Sequence, residues 1–354
     1  MPRVWDVPVH DSTRVRDARV AAERAAALAG LDEKRTASAA LVATELATNL
    51  LKHAGGGQVL IENVAPPVPA EGPGGAPAVQ IAAIDHGPGI ADVPAALRDG
   101  FSTTRSLGAG LGTCRRLADD FGLHSLPGRG TVALARIGNP PGGGTGPARP
   151  AGGVRAGGVN IPYGGAEYSG DAWAWVRSGD RLTLMLADGL GHGPEAARAS
   201  TAAVEALRGS AHLPPAEALR QLDTALGGTR GAAVAVAQVD VRAGRLRFAG
   251  VGNVGARLRE GDRWRALVSR PGIVGVHRHA SLREEEAVWA DDRLLILHSD
   301  GLPSRWTPPS DAGPVADDPA VTAAVTIRDA SSPARPVRDD TAVAVLTPTP
   351  PDRP

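Results

Sequence analysis

The N-terminal part of the chain alternates helical and strand-like patterns of apolar residues. Residues 12–28 and 32–53 are rich in Ala, Leu, Arg and Glu, and each segment opens with a residue suited to cap a helix. Two apolar segments at 58–64 and 79–84 have the length of strands, and the Pro/Gly-rich stretch 65–77 separates them. We therefore expect two helices followed by two strands that are joined through a long hairpin loop.

Two further elements complete this part of the chain. After a glycine-rich segment, the pattern favours a helix at residues 111–121 and a final strand at 131–137. Helices and strands in this order predict an α+β layer, in which helices cover one face of a sheet.

The C-terminal part has a different pattern, dominated by pairs of short strands. The turn sequences Ser178-Gly179-Asp180 and Ala243-Gly244 each lie between two apolar segments, so both indicate antiparallel hairpins. This order predicts a β-sandwich with helices on its outside. The expected strands are 172–176, 181–187, 232–241, 245–249, 293–298 and 342–346, and the expected helices are 194–208 and 215–226.

A segment without apolar periodicity divides the chain into two domains. Residues 138–158 consist mainly of Gly, Pro, Ala and Arg, which favour neither helix nor strand. The chain of 354 residues exceeds the usual size of one domain, so we expect domains at 1–137 and 159–346. A flexible linker would leave the two domains without a fixed mutual orientation. The tail, 347–354, is expected to be disordered.

Composition limits the partners and the compartment. Lys plus Arg equals Asp plus Glu at 38 each, so the chain lacks the charge excess that holds nucleic acid or an anionic membrane. The single cysteine, Cys114, cannot form an internal disulfide, and the N-terminus lacks the pattern of a signal peptide. No apolar run approaches the roughly 20 residues that span a bilayer. We expect a cytoplasmic protein that binds neither nucleic acid nor membrane.

A polar stripe on the second helix and the glycines that follow it suggest a phosphate ligand. Glu45, Asn49 and His53 recur every four residues and share one helix face, a pattern that is also typical of a solvated surface. The strand at 79–84 runs into Asp85-His86-Gly87-Pro88-Gly89, where glycines let the backbone approach a ligand closely. A second glycine-rich segment, 100–112, opens a helix whose free N–H groups suit phosphate.

These motifs resemble the gyrase, histidine-kinase and MutL ATPase (GHKL) superfamily, and within it the anti-sigma serine kinases typified by RsbT and RsbW. The segment DGFSTTRSLGAGLG followed by RRLADDFGLHSLPGRGT is most similar to the RsbT branch, and the resemblance covers about residues 1–137. It implies that Asn49 holds Mg²⁺, that Glu45 polarises the attacking hydroxyl or water, and that Asp85 accepts the adenine amino group. The other implied ATP contacts are Gly87 and Gly89 in the adenine pocket, Gly108, Gly110 and Gly112 in the lid, and Thr131 near the base.

Four carboxylates of the second domain follow or begin apolar strands. Asp171, Asp188, Asp300 and Asp339 could each be ordinary turn residues. The strands beside Asp188 and Asp300 are almost wholly apolar, so their carboxylates are expected at the rim of one buried sheet. Acids gathered there would repel one another unless a cation lay between them, and oxygen ligands suit Mg²⁺ or Mn²⁺. Two such ions could activate water for attack on phosphorus.

The same domain resembles the SpoIIE and RsbX branch of the metal-dependent protein serine/threonine phosphatases, across about residues 155–346. The motifs GAEYSGDAW, LADGLGHGPEAA, GTRGAAVAVAQVD, FAGVGNV, ILHSDGL and RDDTAVAVL occur in the expected order. The resemblance implies that Asp188 bridges two metal ions, that the Gly189 carbonyl completes one of them, and that Asp171, Asp300 and Asp339 supply the other carboxylates. Asp340 is an alternative to Asp339. His192 is either a general acid or, by a slight preference, a cap of the following helix.

The two resemblances predict a fold and a function. The fold is α+β: a GHKL-type α/β sandwich that binds ATP, followed by an α-β-β-α metal-dependent phosphatase. The function is a bifunctional partner-switching enzyme, in which one domain phosphorylates a small regulatory protein and the other removes phosphate from serine or threonine. Its partners would be STAS-type antagonist or anti-sigma regulatory proteins. The alternatives are a phosphatase with a catalytically inactive, nucleotide-sensing N-terminal domain and a pure binding module.

Overall fold

The N-terminal domain is built on a five-stranded antiparallel sheet. The computed structural model describes residues 3–64, 68–69, 77–98, 110–139, 153–277, 281–309, 318–332 and 337–349. Within these residues the first sheet has the strand order β1-β2-β4-β6-β5. The strands of this part of the chain are β1 (Val4–Val9), β2 (Gly57–Val64), β3 (Val68–Pro69), β4 (Ala78–Ile84), β5 (Asp120–Leu126) and β6 (Gly130–Ile137).

Two long helices cover one face of this sheet. Asp11 and Asp32 cap them, since their carboxylates accept hydrogen bonds from the first free N–H groups of each helix. Their buried residues are mostly alanines, which allows the helices to pack closely on each other and on the apolar face of the sheet. The helices of the domain are α1 (Ser12–Leu28), α2 (Glu33–Asn49), a π-helical turn (Leu50–Ala54), α3 (Val93–Ala96) and α4 (Leu111–Leu117).

Two strands of this domain differ from the expectation. The helix expected at 111–121 ends at Leu117, and Asp120–Leu126 forms β5 instead, paired with β6 across a tight turn at Gly128. Gly122 disfavours a helix at this point, and the alternating pattern around it fits a strand. The first strand, β1, was not expected because a proline interrupts its apolar residues; it is tolerated because β1 lies at the edge of the sheet.

The second domain is a sandwich of two sheets, as expected. The inner faces of the sheets share one apolar core. The strand orders are β14-β11-β10-β9-β8-β3 and β13-β12-β15-β16-β7. The strands are β7 (Val154–Ile161), β8 (Asp171–Ser178), β9 (Arg181–Gly189), β10 (Ala232–Asp240), β11 (Arg245–Val251), β12 (Gly255–Glu260), β13 (Arg263–Leu267), β14 (Glu285–Val288), β15 (Arg293–His298) and β16 (Thr341–Pro348).

Helices cover both outer faces of the sandwich. The helices α5 (Pro194–Ser210) and α6 (Pro215–Ala225) pack on the sheet that contains β9 and β10. A third helix, α7 (Pro319–Ala330), packs on β7 and β16 of the other sheet. The expected α-β-β-α order is therefore confirmed, although α7 had not been anticipated. None of the helices in the described residues combines the length and apolar character needed to cross a membrane.

The two domains share a core, which corrects the expectation that they have no fixed mutual orientation. The face of the first sheet opposite α1 and α2 packs on α7 through Leu60, Ile84 and Leu134, which join one cluster with Val321 and Ile327. β3, from the hairpin loop of the first domain, pairs with β8 of the second. Apolar burial of this kind holds domains together whatever the length of the connecting segment.

The ends of the second domain also extend beyond their expected limits. Val154 begins β7 inside the segment 138–158 that was expected to be linker, and Thr347 and Pro348 belong to β16 rather than to a disordered tail. β7 and β16 pair along their whole length, so each supplies the hydrogen-bond partners that the other needs. β7 was not predicted and β16 was predicted only as 342–346, because glycines and prolines mask the pattern.

Candidate functional sites

Two aspartates face each other at one end of the sandwich in the second domain. Asp171 is the first residue of β8, Asp188 is the second-last residue of β9, and the antiparallel register places them directly opposite each other. The Asn160 side-chain amide donates a hydrogen bond to the Asp171 carbonyl oxygen at 2.7 Å, and the Asp171 N–H donates to the Ser169 hydroxyl at 3.1 Å. These bonds fix the backbone at Asp171 and leave its carboxylate to point into the site.

Asp171 is buried and Asp188 is half-buried, and both carboxylates are incompletely paired. One oxygen of each, Oδ2, is buried without a hydrogen-bond partner among the described residues. Burial, together with the neighbouring charges of Asp300 and Asp339, raises the pKa of Asp188 to about 7. Burial and the adjacent Asp188 likewise raise the pKa of Asp171 well above its usual range. Such a pair is stabilised either by a proton or by a cation.

Three more aspartates approach this pair from two loops. Asp300 follows β15, accepts a hydrogen bond from the Asn253 side chain, and lies within hydrogen-bonding reach of Asp188. Asp339 and Asp340 directly precede β16. The two oxygens of Asp340 accept hydrogen bonds from the Tyr163 N–H at 2.8 Å and the Gly170 N–H at 3.0 Å. Asp340 is therefore occupied in holding two backbone segments together, whereas Asp339 accepts one bond, from the Asp340 N–H.

The donor set fits oxygen-liganded metal ions. The unpaired buried oxygens and the mutual repulsion of the carboxylates are features that a divalent cation would relieve. Among the described residues, however, no three His, Cys, Asp or Glu side chains already have the spacing of a ligand set. The carboxylates are nevertheless close enough to raise one another's pKa.

The loop after Asp188 carries a glycine that no other residue can replace and an arginine that sequence reasoning missed. A Cβ on Gly189 would lie 2.2 Å from the Ala196 carbonyl oxygen, so α5 can approach the site only at a glycine. Gly193, not His192, is the N-cap of α5, so the slight preference for His192 as a cap was wrong, and His192 is exposed. Arg230 lies beside this loop, because a Cβ added at Gly191 would be 3.3 Å from the Arg230 Nη1 atom.

In the first domain, α2 places two of the expected residues one turn apart. Glu45 and Asn49 are half-buried, and burial raises the pKa of Glu45 despite the opposing charge of Lys52. Asn49 is the last α-helical residue, and the chain continues as a π-helical turn. Such turns often occur at functional sites because they change the direction of side chains within a helix.

Asp85 lies at the end of β4 and is held by backbone hydrogen bonds. Its Oδ1 accepts from the Gly87 N–H at 2.8 Å and from the Thr131 N–H at 3.1 Å. Burial raises its pKa, and these hydrogen bonds oppose the rise. A Cβ on Gly130 would lie 2.0 Å from the Asp85 carbonyl oxygen, and Gly130 has a φ of +84°. The close approach of the start of β6 to the end of β4 therefore requires glycine.

A serine that sequence reasoning missed holds the loop after Asp85. The Ser125 hydroxyl accepts a hydrogen bond from the Ile90 N–H at 2.8 Å and shares another with the Thr131 hydroxyl at 2.8 Å. Gly89 lies in this loop, close to the Leu126 carbonyl oxygen. The structure thus brings Asp85, Gly87, Gly89 and Thr131 together. Ser125 could have been found only by recognising β5, which the predicted helix obscured.

The remaining residues expected at the nucleotide site are the lid glycines. Gly108 lies outside the described residues. Gly110 is the N-cap of α4, and Gly112 is buried within the helix. α4 packs on α2, and Cys114 of α4 is buried. Burial and the nearby charge of Glu45 raise the pKa of the Cys114 thiol to about 12. This near neighbour shows that Glu45 and the start of α4 share one side of the domain.

Comparisons with known proteins agree with this division. Residues 9–136 match the family model "Histidine kinase-like ATPase domain", and residues 178–347 match "Stage II sporulation protein E (SpoIIE)". The serine/threonine-protein kinase RsbT of Bacillus subtilis (strain 168) is 45% identical over 92 residues, which are 26% of this chain and 64% of RsbT. The chain thus spans somewhat less than two thirds of the length of this curated relative.

Solved structures with similar folds include a bacterial stressosome protein and a two-domain mycobacterial protein. The first is 29% identical, with a TM-score of 0.47, and the match covers 55% of this chain and 98% of the stressosome chain. The second comprises the RsbU and RsbW domains of Rv1364c from Mycobacterium tuberculosis; it is 21% identical, with a TM-score of 0.47, and covers 57% of this chain and 62% of its own.

The fold and the two family models together describe a fusion of a histidine kinase-like ATPase domain and a SpoIIE-like phosphatase domain. More particularly, part of the chain is similar to the serine/threonine-protein kinase RsbT, and residues 178–347 are similar to SpoIIE.

Proposed function

We propose that this protein is a bifunctional partner-switching enzyme, which hydrolyses phosphoserine or phosphothreonine in one domain and phosphorylates a regulatory protein in the other. One observation carries the proposal: Asp171 and Asp188 face each other, each with a buried and unpaired oxygen, in a domain that matches the SpoIIE model. Burying two acids without compensation would be strongly unfavourable, so a cation-binding role explains the arrangement better than a structural one.

The phosphatase site would hold two Mg²⁺ or Mn²⁺ ions. Asp188 would contact both ions, with the Gly189 carbonyl and the carboxylates of Asp171, Asp300 and Asp339 completing the set. Asp339 is preferred to Asp340 because Asp340 already accepts two backbone hydrogen bonds. When bound, the ions would supply Lewis-acid activation of water and neutralise charge on the phosphoryl oxygens.

Arg230 is the residue we propose to anchor the substrate phosphate. It is exposed, it lies beside the loop that follows Asp188, and a guanidinium group can donate two parallel hydrogen bonds to a phosphoryl group. Arg230→Ala should therefore raise KM with little change in kcat, and Arg230→Lys should recover only part of the loss.

The first domain would bind ATP with Mg²⁺. Asp85 would accept a hydrogen bond from the adenine amino group, Asn49 would hold the metal ion, and Glu45 would accept the proton of the attacking hydroxyl. Gly87, Gly89 and Thr131 would line the base, and Gly108, Gly110 and Gly112 would close over the phosphates. Phosphoryl transfer depends mainly on such positioning, which is consistent with the few reactive side chains present.

We further propose that the partners are STAS-type antagonist or anti-sigma regulatory proteins and that the enzyme acts in the cytoplasm, where ATP is available. The test uses the purified full chain with labelled ATP, candidate partner proteins and Mn²⁺ or Mg²⁺. Label should pass to a partner and then be released as phosphate, and a chelator should stop the release. Metal-independent release, or no release from any phosphoprotein or aryl phosphate, would exclude the phosphatase assignment.

A further inference from the structure

The helix α7 belongs to the phosphatase domain by sequence but is held at both ends by the ATPase domain. At its start, the Arg136 guanidinium donates to both oxygens of Asp318, at 2.7 and 3.0 Å. At its end, Arg129 pairs with Asp329 at 2.7 Å. Between these ion pairs, the apolar residues of α7 pack on the first sheet. Charges fix the position of the helix more narrowly than apolar contact alone, because hydrogen bonds to charged groups are directional.

One side chain of α7 makes buried contacts with residues of the ATPase domain. Arg328 is only 1% exposed, and its Nη1 lies 3.4 Å from the Gly130 carbonyl oxygen and 3.3 Å from the His124 ring. Gly130 crosses over Asp85, and the next residue, Thr131, donates its N–H to the Asp85 carboxylate. Arg328 thus holds the backbone segment that orients the residue expected to recognise adenine.

A second contact joins the loop after β4 to the end of α7. His86 follows Asp85 directly, and its Nε2 lies 3.0 Å from the Arg328 carbonyl oxygen and 3.2 Å from that of Ser331. The loop after β4 is therefore tied to the last turn of α7. The charge of Arg328 also favours the ionised form of Asp85, which is the form that accepts a hydrogen bond from an amino group.

We propose that Arg328 of the phosphatase domain is a positioning residue of the ATP site in the same chain. It holds the Gly130–Thr131 segment, and through this segment Asp85, in the orientation that binds adenine. This inference rests on the proposed ATP binding by the first domain. A consequence follows from linkage: if ATP binding depends on the position of α7, then ATP binding also stabilises that position, by the same free energy.

The first test measures the ATP affinity of full-length variants by calorimetry with Mg²⁺ present. Arg328→Met removes the donor at nearly the same volume and should raise the Kd by about tenfold, as expected for the loss of a buried hydrogen bond from a charged group. Arg328→Lys keeps a cation and should recover part of this loss. The control is Arg19→Ala, which removes an exposed ion pair within α1 and none of the contacts to α7, and its Kd should equal that of the wild type.

A second measurement needs no variant and remains valid if Arg328→Met fails to fold. Hydrogen exchange of the wild-type chain should show that ATP with Mg²⁺ slows exchange in α7, with no change in α6 on the far side of the sandwich. An unchanged Kd in folded Arg328→Met, or unchanged exchange in α7 when ATP is bound, would overturn this inference alone. Absence of ATP binding by the wild type would overturn the proposed function together with the inference.

Discussion

Asp188 is the residue on which most of the phosphatase site depends. Its carboxylate is buried opposite Asp171, within hydrogen-bonding reach of Asp300, and its pKa is raised to about 7 by burial and by the neighbouring charges. Either a proton or a divalent cation would neutralise the repulsion at such a group. The proposed metal binding would therefore also relieve the electrostatic repulsion at this site.

The first prediction follows for Asp188→Asn. The amide keeps the size of the side chain but cannot place a negative charge beside the ions, so turnover of an aryl phosphate should fall by more than about a hundredfold, the upper range for residues that only support metal ligands. A melting curve gives a readout apart from activity: Mn²⁺ should raise the melting temperature of the wild type and not of the variant. Full turnover by Asp188→Asn would show that the ions bind elsewhere.

The second prediction separates the adjacent residues Asp339 and Asp340. In Asp340→Asn, the amide oxygen can accept one of the two backbone hydrogen bonds, but the amide NH₂ group would face the other backbone N–H. The free energy of unfolding should therefore fall by about 1–3 kcal/mol. Asp339→Asn should leave the unfolding free energy nearly unchanged and weaken activation by metal. Urea unfolding and metal titration of both variants measure these effects. The opposite pattern would make Asp340 the ligand.

At the scale of helices and strands, the sequence predicted the elements whose patterns are local. α1 was predicted at its observed bounds, and the hairpins β8–β9 and β10–β11 were predicted, because capping residues and turn glycines mark them, whereas the hairpin β12–β13 was missed. β5 was missed, since a short apolar alternation after a helix resembles the end of that helix. α7 was missed for another reason: its residues are buried on all sides, and only the sheets of both domains explain that.

The candidate sites show the same division between local and tertiary information. The motif residues were predictable, because each glycine or aspartate lies in a recognisable local pattern. Ser125, Arg230 and Arg328 were not, since each acts on a segment distant in sequence: Ser125 on Ile90, Arg230 on the loop at Gly191, and Arg328 on Gly130. Nothing in their immediate neighbours distinguishes them from ordinary surface or core residues.

The third prediction concerns the strands that join the domains. Glu62 of β2 accepts a hydrogen bond from Gln80 at 2.9 Å and one from the Asn160 N–H, and burial raises its pKa to about 8 from an ordinary value of 4.5. Between these two values the folded protein keeps a proton that the unfolded chain has lost. The free energy of unfolding should therefore fall by up to about 1.4 kcal/mol per pH unit as the pH rises through this window. Above about pH 8 this contribution should change no further.

Glu62→Gln removes the ionisable group at constant shape and tests this prediction. The variant should match the wild type in unfolding free energy near pH 5 and should lose less stability between pH 6 and pH 8, as measured by urea unfolding at each pH. Glu23→Gln, at an exposed position of α1, is the matched control and should keep the wild-type slope. Equal slopes in Glu62→Gln and the wild type would mean that Glu62 is already ionised in the folded protein.

At the scale of the whole molecule, six layers lie in sequence. They are α1 with α2, the first sheet, α7, the two sheets of the sandwich, and α5 with α6. The proposed ATP and phosphatase sites lie on different sheets, and α7 with its apolar cluster separates them. The two proposed reactions would thus take place at separate sites within one continuous structure, so a substitution in one site need not disturb the chemistry of the other.

The last prediction is that the two activities can be removed one at a time. Glu45 is on α2, on the face of the first sheet away from α7, so Glu45→Ala should abolish phosphorylation of a partner while phosphatase turnover persists. Asp300→Ala should do the reverse, and the phosphorylated partner should accumulate when ATP is supplied. Glu33→Ala, in the first turn of the same helix as Glu45, is the control and should behave as the wild type. A time course of partner phosphorylation, read by mass spectrometry, compares these proteins. If Glu45→Ala phosphorylates the partner as fast as the wild type does, the first domain senses nucleotide without transferring phosphate, and the arrangement around α7 would serve that sensing alone.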